Sequence, residues 1–221
     1  VLVTGANGYL ASWIVKDLLD AGCTVHATVR NPDDDRKVGH LKALAASSPG
    51  TLSLFAADLL QEGSFAEAMA GCAVVMHTAS PFVVRGIKDG YKDLIEPAVR
   101  GTRNVLESCN STPSVKRVVL TSSVVSVYGD NADAQGQTLT EADWNTTSNA
   151  DHQPYPASKV EAEKAAWEIC KSQNRWDMVT INPGLVLGPS LTRASGSESL
   201  AIIGDLVKGK LRTCLLYTSD A

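Results

Sequence analysis

Three residues have side chains and spacing suited to moving a proton. TSSVVS begins at Thr121, and 32 residues after Ser123 comes YPASK, which places Tyr155 and Lys159 four apart. On a helix that spacing puts both side chains on one face, with Cβ atoms about 5 to 6 Å from each other. A tyrosine with an ordinary pKa near ~10 is a poor acid or base at neutral pH, but a neighbouring ammonium stabilises the phenolate and lowers that value. Lys159 is expected to supply the charge, and a serine hydroxyl can hydrogen-bond the substrate oxygen that Tyr155 protonates. Ser123 is expected in that role, with Ser122 as the alternative. A YxxxK pair also arises by chance on helix surfaces, and TSS alone can be a polar strand end. Specificity comes from finding them together, in this order, behind a glycine-rich turn.

That turn is TGANGYLA, which sets Gly5, Gly8 and Ala11 at three-residue intervals between a β-rich run and an amphipathic one. Gly5 permits a tight turn, Gly8 lets the backbone approach a pyrophosphate, and Ala11 lets the helix pack close to a sheet. The N–H groups of the helix N-terminus then face the phosphates, with Asn7, Tyr9 and Leu10 lining the same turn. A plain strand-to-helix turn is the competing reading; the flanking elements favour a dinucleotide. Arg30 ends the second strand where an NAD enzyme usually carries a carboxylate, and Lys37 follows seven residues later. Two cations there suit a 2′-phosphate and favour NADPH over NADH, although solvated surface cations would look the same. After the third strand, Asp58 could accept from the adenine amino group and Leu59 could pack on the ring, with helix capping the competing role for Asp58. After the fourth, Ala79 and Ser80 are small enough to let a cofactor cross the sheet, and His77 reads as a core histidine.

These residues need a frame that brings strand ends together. Short β-rich runs at Val1–Val3, Thr24–Val29, Leu52–Ala57, Val74–Ala79, Arg117–Ser122 and Met178–Pro183 alternate with helical patterns. The helices are expected over Tyr9–Asp20, about Arg36–Ala46, Phe65–Ala70 and Tyr91–Cys109, then along ASKVEAEKAAWEICKSQ, with a polar loop from Ser123 to Gln153. This alternation implies βαβ units in an α/β, Rossmann-type doubly wound parallel sheet, with its ligand crevice at the carboxyl ends of the strands.

The 221 residues carry 44% hydrophobic and 20% charged residues and a net charge of −4, an ordinary globular balance. Charges are dispersed without a basic block, so nucleic acid is not an expected partner. No apolar run approaches the ~18 residues that span a bilayer, no signal peptide is evident, and a cytoplasmic protein is expected. The five cysteines form no CxxC pair and are expected as reduced thiols, with no metal site. Val1 already lies within a strand pattern. At the other end CLLYTSDA, Cys214–Ala221, is the translation of TGT CTC TTA TAC ACA TCT GAC GCT, which looks like the transposon-end adapter of a sequencing library. The expected organisation is therefore a dinucleotide-binding domain over 1–189, the start of a substrate-binding portion over 190–213, and an adapter-derived segment over 214–221. A true C-terminal strand is the alternative for the last segment.

With these motifs in view, the chain resembles an extended short-chain dehydrogenase/reductase, in the branch of dihydroflavonol, cinnamoyl-CoA and aldehyde or ketone reductases. The resemblance runs from Val1 to about Leu211 and rests on VLVTGANGYLASWIVKDLL, HATVRNPDDDRKVGHL, FAADLL, KRVVLTSS, YPASKVEAEKAAWE and INPGLVLGP. It implies that Ser123, Tyr155 and Lys159 form the catalytic triad and that Arg30 and Lys37 hold the 2′-phosphate. It further implies that Asp58 and Leu59 flank adenine, and that Pro183, Gly184 and Leu185 pass the nicotinamide. Tyr128 stands where dihydroflavonol reductases carry an asparagine, and QPYPASK replaces the NWYCYGK-type signature of cinnamoyl-CoA reductases, so no particular substrate is implied. The expected activity is NADPH-dependent reduction of a small ketone or aldehyde to an alcohol, with Tyr155 as proton donor. The family's C-terminal substrate portion is expected to lie beyond this chain, which alone should bind NADPH weakly and turn over little. Homodimers through two long helices are common in such proteins. The alternatives are an NAD-dependent sugar-nucleotide epimerase or dehydratase and a non-catalytic dinucleotide-binding regulator.

Overall fold

A computed structural model describes residues 1–81, 86–192 and 198–210, with Asp133 and Glu198 described by their backbone alone. Six strands, β1 Leu2–Thr4, β2 Thr24–Val29, β3 Thr51–Ala56, β4 Val74–His77, β5 Arg117–Thr121 and β6 Asp177–Ile181, form one sheet in the order β3-β2-β1-β4-β5-β6. Every pairing is parallel, so each connection crosses a face of the sheet, as the alternating pattern requires. The order reverses between β1 and β4, which opens a crevice above their carboxyl ends.

The helices are α1 Tyr9–Asp20, α2 Asp35–Ser47, α3 Ala66–Met69, α4 Glu96–Ser111, α5 Asn131–Ala134, α6 Pro154–Lys171 and α7 Glu198–Val207. Alternation along β1 splits its side chains between two cores. Leu2 joins Val75, Val118, Leu120 and Met178 against Val105 and Leu106 of α4 and Ala166 and Ile169 of α6. Val3 joins Val25, Ala27 and Val29 against Val15 and Leu19 of α1 and Val38 and Leu41 of α2. The inner strand β1 is wholly apolar but for Thr4 because both faces of the sheet bury it, whereas outer strand β6 leaves Val179 and Ile181 exposed.

Differences from the expected elements are local. α6 starts at Pro154, three residues before the expected run, because Gln153 adopts a left-handed conformation at φ 55° and Pro154 can occupy the first helical position. Tyr155 therefore stands in the first turn of the helix. β6 stops at Ile181, before Pro183, which has no amide hydrogen to donate. A π-helical turn, Tyr91–Ile95, precedes α4 where one continuous helix was expected. The stretch expected as loop contains a 3₁₀ turn, Val124–Ser126, and α5. Within 190–213, α7 was not foreseen; its exposed Ile202, Leu206 and Val207 explain why no buried stripe marked it. The segment 214–221 lies outside the described residues.

Candidate active site

The glycine turn joins β1 to α1 at the switch point of the sheet. Gly5 has φ +63°, and a Cβ on it would lie 3.0 Å from the Cβ of Ala79, so both conformation and contact require glycine. Gly8 has φ −71°; its amide donates to the Gly5 carbonyl at 2.9 Å, and it begins α1 with no side-chain cap and no acidic residue in the first turn. The first amides of α1 thus keep their donors for an anion. Thr4 fastens this turn to β4. Its Oγ1 accepts from the amides of Thr78 and Ala79 at 3.1 Å each and donates to His77 Nδ1 at 2.9 Å. His77 is fully buried, and burial, followed by the charge of Lys159, drives its pKa down to about 3. It is therefore a neutral core residue, as the sequence suggested. Ser12 adds a second fastening, donating to the Gly8 carbonyl at 2.8 Å and meeting His40 Nε2 at 2.9 Å.

Arg30 is exposed just past β2, and among the described residues it has no ion pair. Lys37 does not share that freedom. Asp34 binds Arg36 Nε at 3.1 Å and lies 3.8 Å from Lys37 Nζ. Asp58 Oδ1 accepts from the Leu60 amide at 2.8 Å, so its carboxylate shapes the turn after β3, the role weighed against adenine recognition. Leu59 packs on the core beside Gly101, with its carbonyl held by Asn104 Nδ2 at 3.0 Å. Asn7 and Leu10 are half-buried in the glycine turn, whereas the Tyr9 hydroxyl donates to the Gly188 carbonyl at 2.9 Å. Tyr9 and Trp13, which donates to the Pro189 carbonyl at 3.0 Å, thus tie α1 to the segment following β6. Pro183 accepts from the Val124 amide at 3.0 Å, which sets Pro183, Gly184 and the exposed Leu185 beside the loop that follows β5.

Ser123, Tyr155 and Lys159 converge above β4 and β5. Ser123 caps the 3₁₀ turn, accepting from the Val125 amide at 3.4 Å, and hydrogen-bonds the Tyr155 side chain. Ser122 points the other way, donating to Glu163 Oε2 at 2.5 Å. The geometry therefore pairs Tyr155 with Ser123 rather than Ser122. Lys159 Nζ lies 5.8 Å from the Tyr155 ring centroid and donates to Ser80 Oγ at 3.1 Å, which links α6 to the end of β4. Burial pulls Lys159 down to about 8. Burial also pushes the Tyr155 phenol up, and the opposing pull comes from the Ser123 hydrogen bond. The lowering expected from Lys159 is therefore not seen: burial sets the phenol above its ordinary value, and the Lys159 ammonium is bonded to Ser80.

Sequence reasoning passed over Glu163 and Asn182. Glu163 is only 6% exposed, and Asn182 Nδ2 donates to it at 3.1 Å and to the Ser123 carbonyl at 3.1 Å. The available signal was a glutamate on the Ala157, Val160, Ala166 face of α6, four residues beyond Lys159. Among the described residues no cluster of three or more His, Cys, Asp or Glu could hold a metal ion, and no helix is long and apolar enough to cross a membrane. The four described cysteines are free thiols.

The NAD dependent epimerase/dehydratase family model matches residues 1–219. A cinnamoyl-CoA reductase of Medicago truncatula is 45% identical over 95% of this chain and 64% of its own length. An anthocyanidin reductase of Arabidopsis thaliana is 39% identical over 94% and 61%. Among solved structures, Gre2 of Candida albicans in complex with NADPH superposes with a TM-score of 0.76 at 32% identity, covering 94% of this chain and 65% of its own. Vestitone reductase of alfalfa superposes with a TM-score of 0.74 at 31% identity, covering 93% and 62%. This chain thus spans about three-fifths of the length of the relatives it matches. A family model that covers the glycine turn, all six strands and the Ser, Tyr and Lys positions assigns the chain plainly: it belongs to the NAD dependent epimerase/dehydratase family.

Proposed function

We propose that this chain carries the cofactor and proton-transfer machinery of an NADPH-dependent reductase that converts a ketone or aldehyde to an alcohol. The observation carrying this reading is the convergence of Ser123, Tyr155 and Lys159, with the Lys159 ammonium 5.8 Å from the Tyr155 ring centroid and bonded to Ser80 at the end of β4. The residues fit the cofactor: Gly5 and Gly8 leave backbone room, the uncapped first turn of α1 offers amides to the pyrophosphate, and Arg30 stands uncommitted near the end of β2 for the 2′-phosphate. Lys37 adds a weaker positive charge because it shares Asp34 with Arg36. Asp58 and Leu59 are assigned to the adenine side, Ala79 and Ser80 to the crossing of the sheet, and Pro183, Gly184 and Leu185 to the nicotinamide side.

Bound NADPH supplies a hydride to the carbonyl carbon. Ser123 donates a hydrogen bond to the carbonyl oxygen and holds it near the phenol. Tyr155 gives its O–H proton to that oxygen, so that carbonyl, hydride and proton sum to a secondary or primary alcohol. Lys159, held by Ser80, stabilises the phenolate that remains and offers donors to the nicotinamide ribose. The relatives named for cinnamoyl-CoA, anthocyanidin and vestitone support an aromatic compound as the substrate class, and the ketone of vestitone is the group that matches the step above.

The test is isotopic. The chain, alone and joined to the part of the Medicago truncatula relative that the match leaves uncovered, is incubated with vestitone, a panel of aromatic aldehydes and NADPH deuterated at the nicotinamide C4, and the products are weighed by mass spectrometry. An alcohol one deuterium heavier supports the reading. A product that keeps its redox level would favour the epimerase or dehydratase alternative, and deuterium transfer only from NADH would overturn the assignment of Arg30 to a 2′-phosphate.

A further inference from the structure

The active-site serine lies on a short loop, and a loop places a hydroxyl only as well as its anchors allow. Tyr155, Lys159 and Glu163 repeat every four residues and so form one stripe along α6. The first two face the crevice; the third is a carboxylate buried among the loop's polar groups. Glu163 Oε2 accepts from Ser122 Oγ at 2.5 Å, Ser126 Oγ at 2.7 Å and Asn182 Nδ2 at 3.1 Å. Its other oxygen meets Trp167 Nε1 at 3.4 Å. Asn182, whose amide carries two hydrogens, also donates to the Ser123 carbonyl at 3.1 Å, and the single Ser126 hydroxyl hydrogen is shared between Glu163 and that carbonyl, 2.8 Å away. Ser123 is thus flanked by a residue bound to Glu163, and its carbonyl is gripped by two more.

We propose that Glu163 is the positioning residue of the site: through Ser122, Ser126 and Asn182 it fixes the turn after β5 so that the Ser123 hydroxyl meets Tyr155. This rests on the assignment of Ser123 and Tyr155 made above. Because one rigid helix carries both Tyr155 and the anchor of its partner, the register of α6 sets the Ser123 to Tyr155 geometry. Glu163 also selects between the two serines, since it takes the Ser122 hydroxyl and leaves that of Ser123 free for Tyr155. The amides of Ser122 and Val124 bond to the carbonyls of Ile181 and Pro183, so the turn stays attached to the segment at the end of β6 when Glu163 is replaced.

The test reads the Tyr155 phenol directly, without turnover. The chain is labelled with 3-fluorotyrosine, whose phenol ionises at lower pH than tyrosine, and the Tyr155 resonance is assigned by its loss in Tyr155→Phe. Titrations by fluorine NMR then compare the parent with Ser123→Ala, Glu163→Ala, Glu163→Gln, and Ser123→Ala combined with Glu163→Ala. Losing the Ser123 hydrogen bond should raise the Tyr155 midpoint by about half a unit to one unit. Glu163→Ala should raise it to the Ser123→Ala value, the double variant should go no higher, and Glu163→Gln should return toward the parent because its amide oxygen still accepts. The sign discriminates. Removing a negative charge without moving Ser123 would lower the midpoint, equally in Ala and Gln. A fall, no change, or an additive rise in the double variant overturns the proposal. If Ser123→Ala itself leaves the midpoint in place, the assignment of Ser123 fails instead. Should Glu163→Ala not fold, Ser126→Ala removes one link with the carboxylate intact and must raise the midpoint in part; an unshifted midpoint there overturns the proposal equally.

Discussion

Replacing Arg30 by alanine should weaken NADPH binding far more than NADH binding, and the surrounding charges set how much. Arg30 has no ion pair among the described residues, so its guanidinium is available to a phosphate without first leaving a carboxylate. A hydrogen bond to a charged group contributes about 1.5 to 3 kcal/mol, which corresponds to roughly 10- to 100-fold in affinity. Exposure of the side chain and salt screening favour the lower half of that range at physiological ionic strength. Lys37 lies 3.8 Å from Asp34, which Arg36 also binds, so Lys37→Ala should lose only a few-fold. Asp34→Asn should tighten NADPH slightly, by releasing Lys37 and removing a negative charge from the neighbourhood of the 2′-phosphate. The assay is fluorescence titration of both cofactors in low and high salt. NADPH should lose at least tenfold on Arg30→Ala, NADH less than twofold, and the difference should shrink with salt. Equal losses for the two cofactors, or a larger effect from Lys37 than from Arg30, would refute the reasoning.

Burial pulls Lys159 to about 8, below the ordinary 10.5 of lysine. Between those values the unfolded chain binds more protons than the folded one, so stability rises with pH across that window and is lowest below about 8. Lys159→Met should therefore raise the melting temperature at pH 7 by roughly a few degrees while abolishing turnover, and calorimetry at pH 7 and pH 10 checks both the gain and its disappearance. Ser123→Ala should lower kcat by about 10²-fold or more, and Ser122→Ala should cost less in kcat and more in stability, because it leaves Glu163 short of a donor; steady-state rates beside thermal melts distinguish them. Gly5→Ala should destabilise by about 1 to 3 kcal/mol through its positive φ and its contact with Ala79, and Gly8→Ala should destabilise less, since its Cβ would meet only the Gly5 carbonyl oxygen at 3.2 Å, while weakening cofactor binding, as chemical denaturation and cofactor titration would report.

The parts of the fold written in repeating patterns were legible in the sequence. All six strands and the longer helices follow from apolar periodicity, and Gly5, Gly8, Tyr155 and Lys159 announce themselves because their chemistry depends on spacing along one element. What escaped depends on contacts between elements. Nothing in TSS says which serine faces Tyr155; the Ser122 hydroxyl bonds Glu163, 41 residues away, which reaches into the turn from α6. The π-helical turn before α4 and the left-handed Gln153 before α6 reflect local fitting of helix starts, which residue types do not announce. Asp58 and Leu59 carry an expectation of an adenine edge, and in the structure Asp58 Oδ1 shapes its own turn while Leu59 leans on Gly101. Arg30 and Lys37 look alike in sequence and differ in structure only because Asp34 stands next to one of them.

The most direct measurement is NADPH consumption with vestitone and a panel of aromatic and aliphatic aldehydes and ketones, by the parent and Tyr155→Phe, which removes only the phenolic hydroxyl. It is made on the chain alone and on the chain joined to the part of the Medicago truncatula relative that the match leaves uncovered. Turnover of at least one carbonyl, lost by about 10²-fold or more in Tyr155→Phe while NADPH affinity stays within a few-fold, is the expected result. Turnover that survives in Tyr155→Phe, or a folded protein that binds NADPH in both forms and reduces none of these carbonyls, would contradict Tyr155 as the proton donor of a carbonyl reductase.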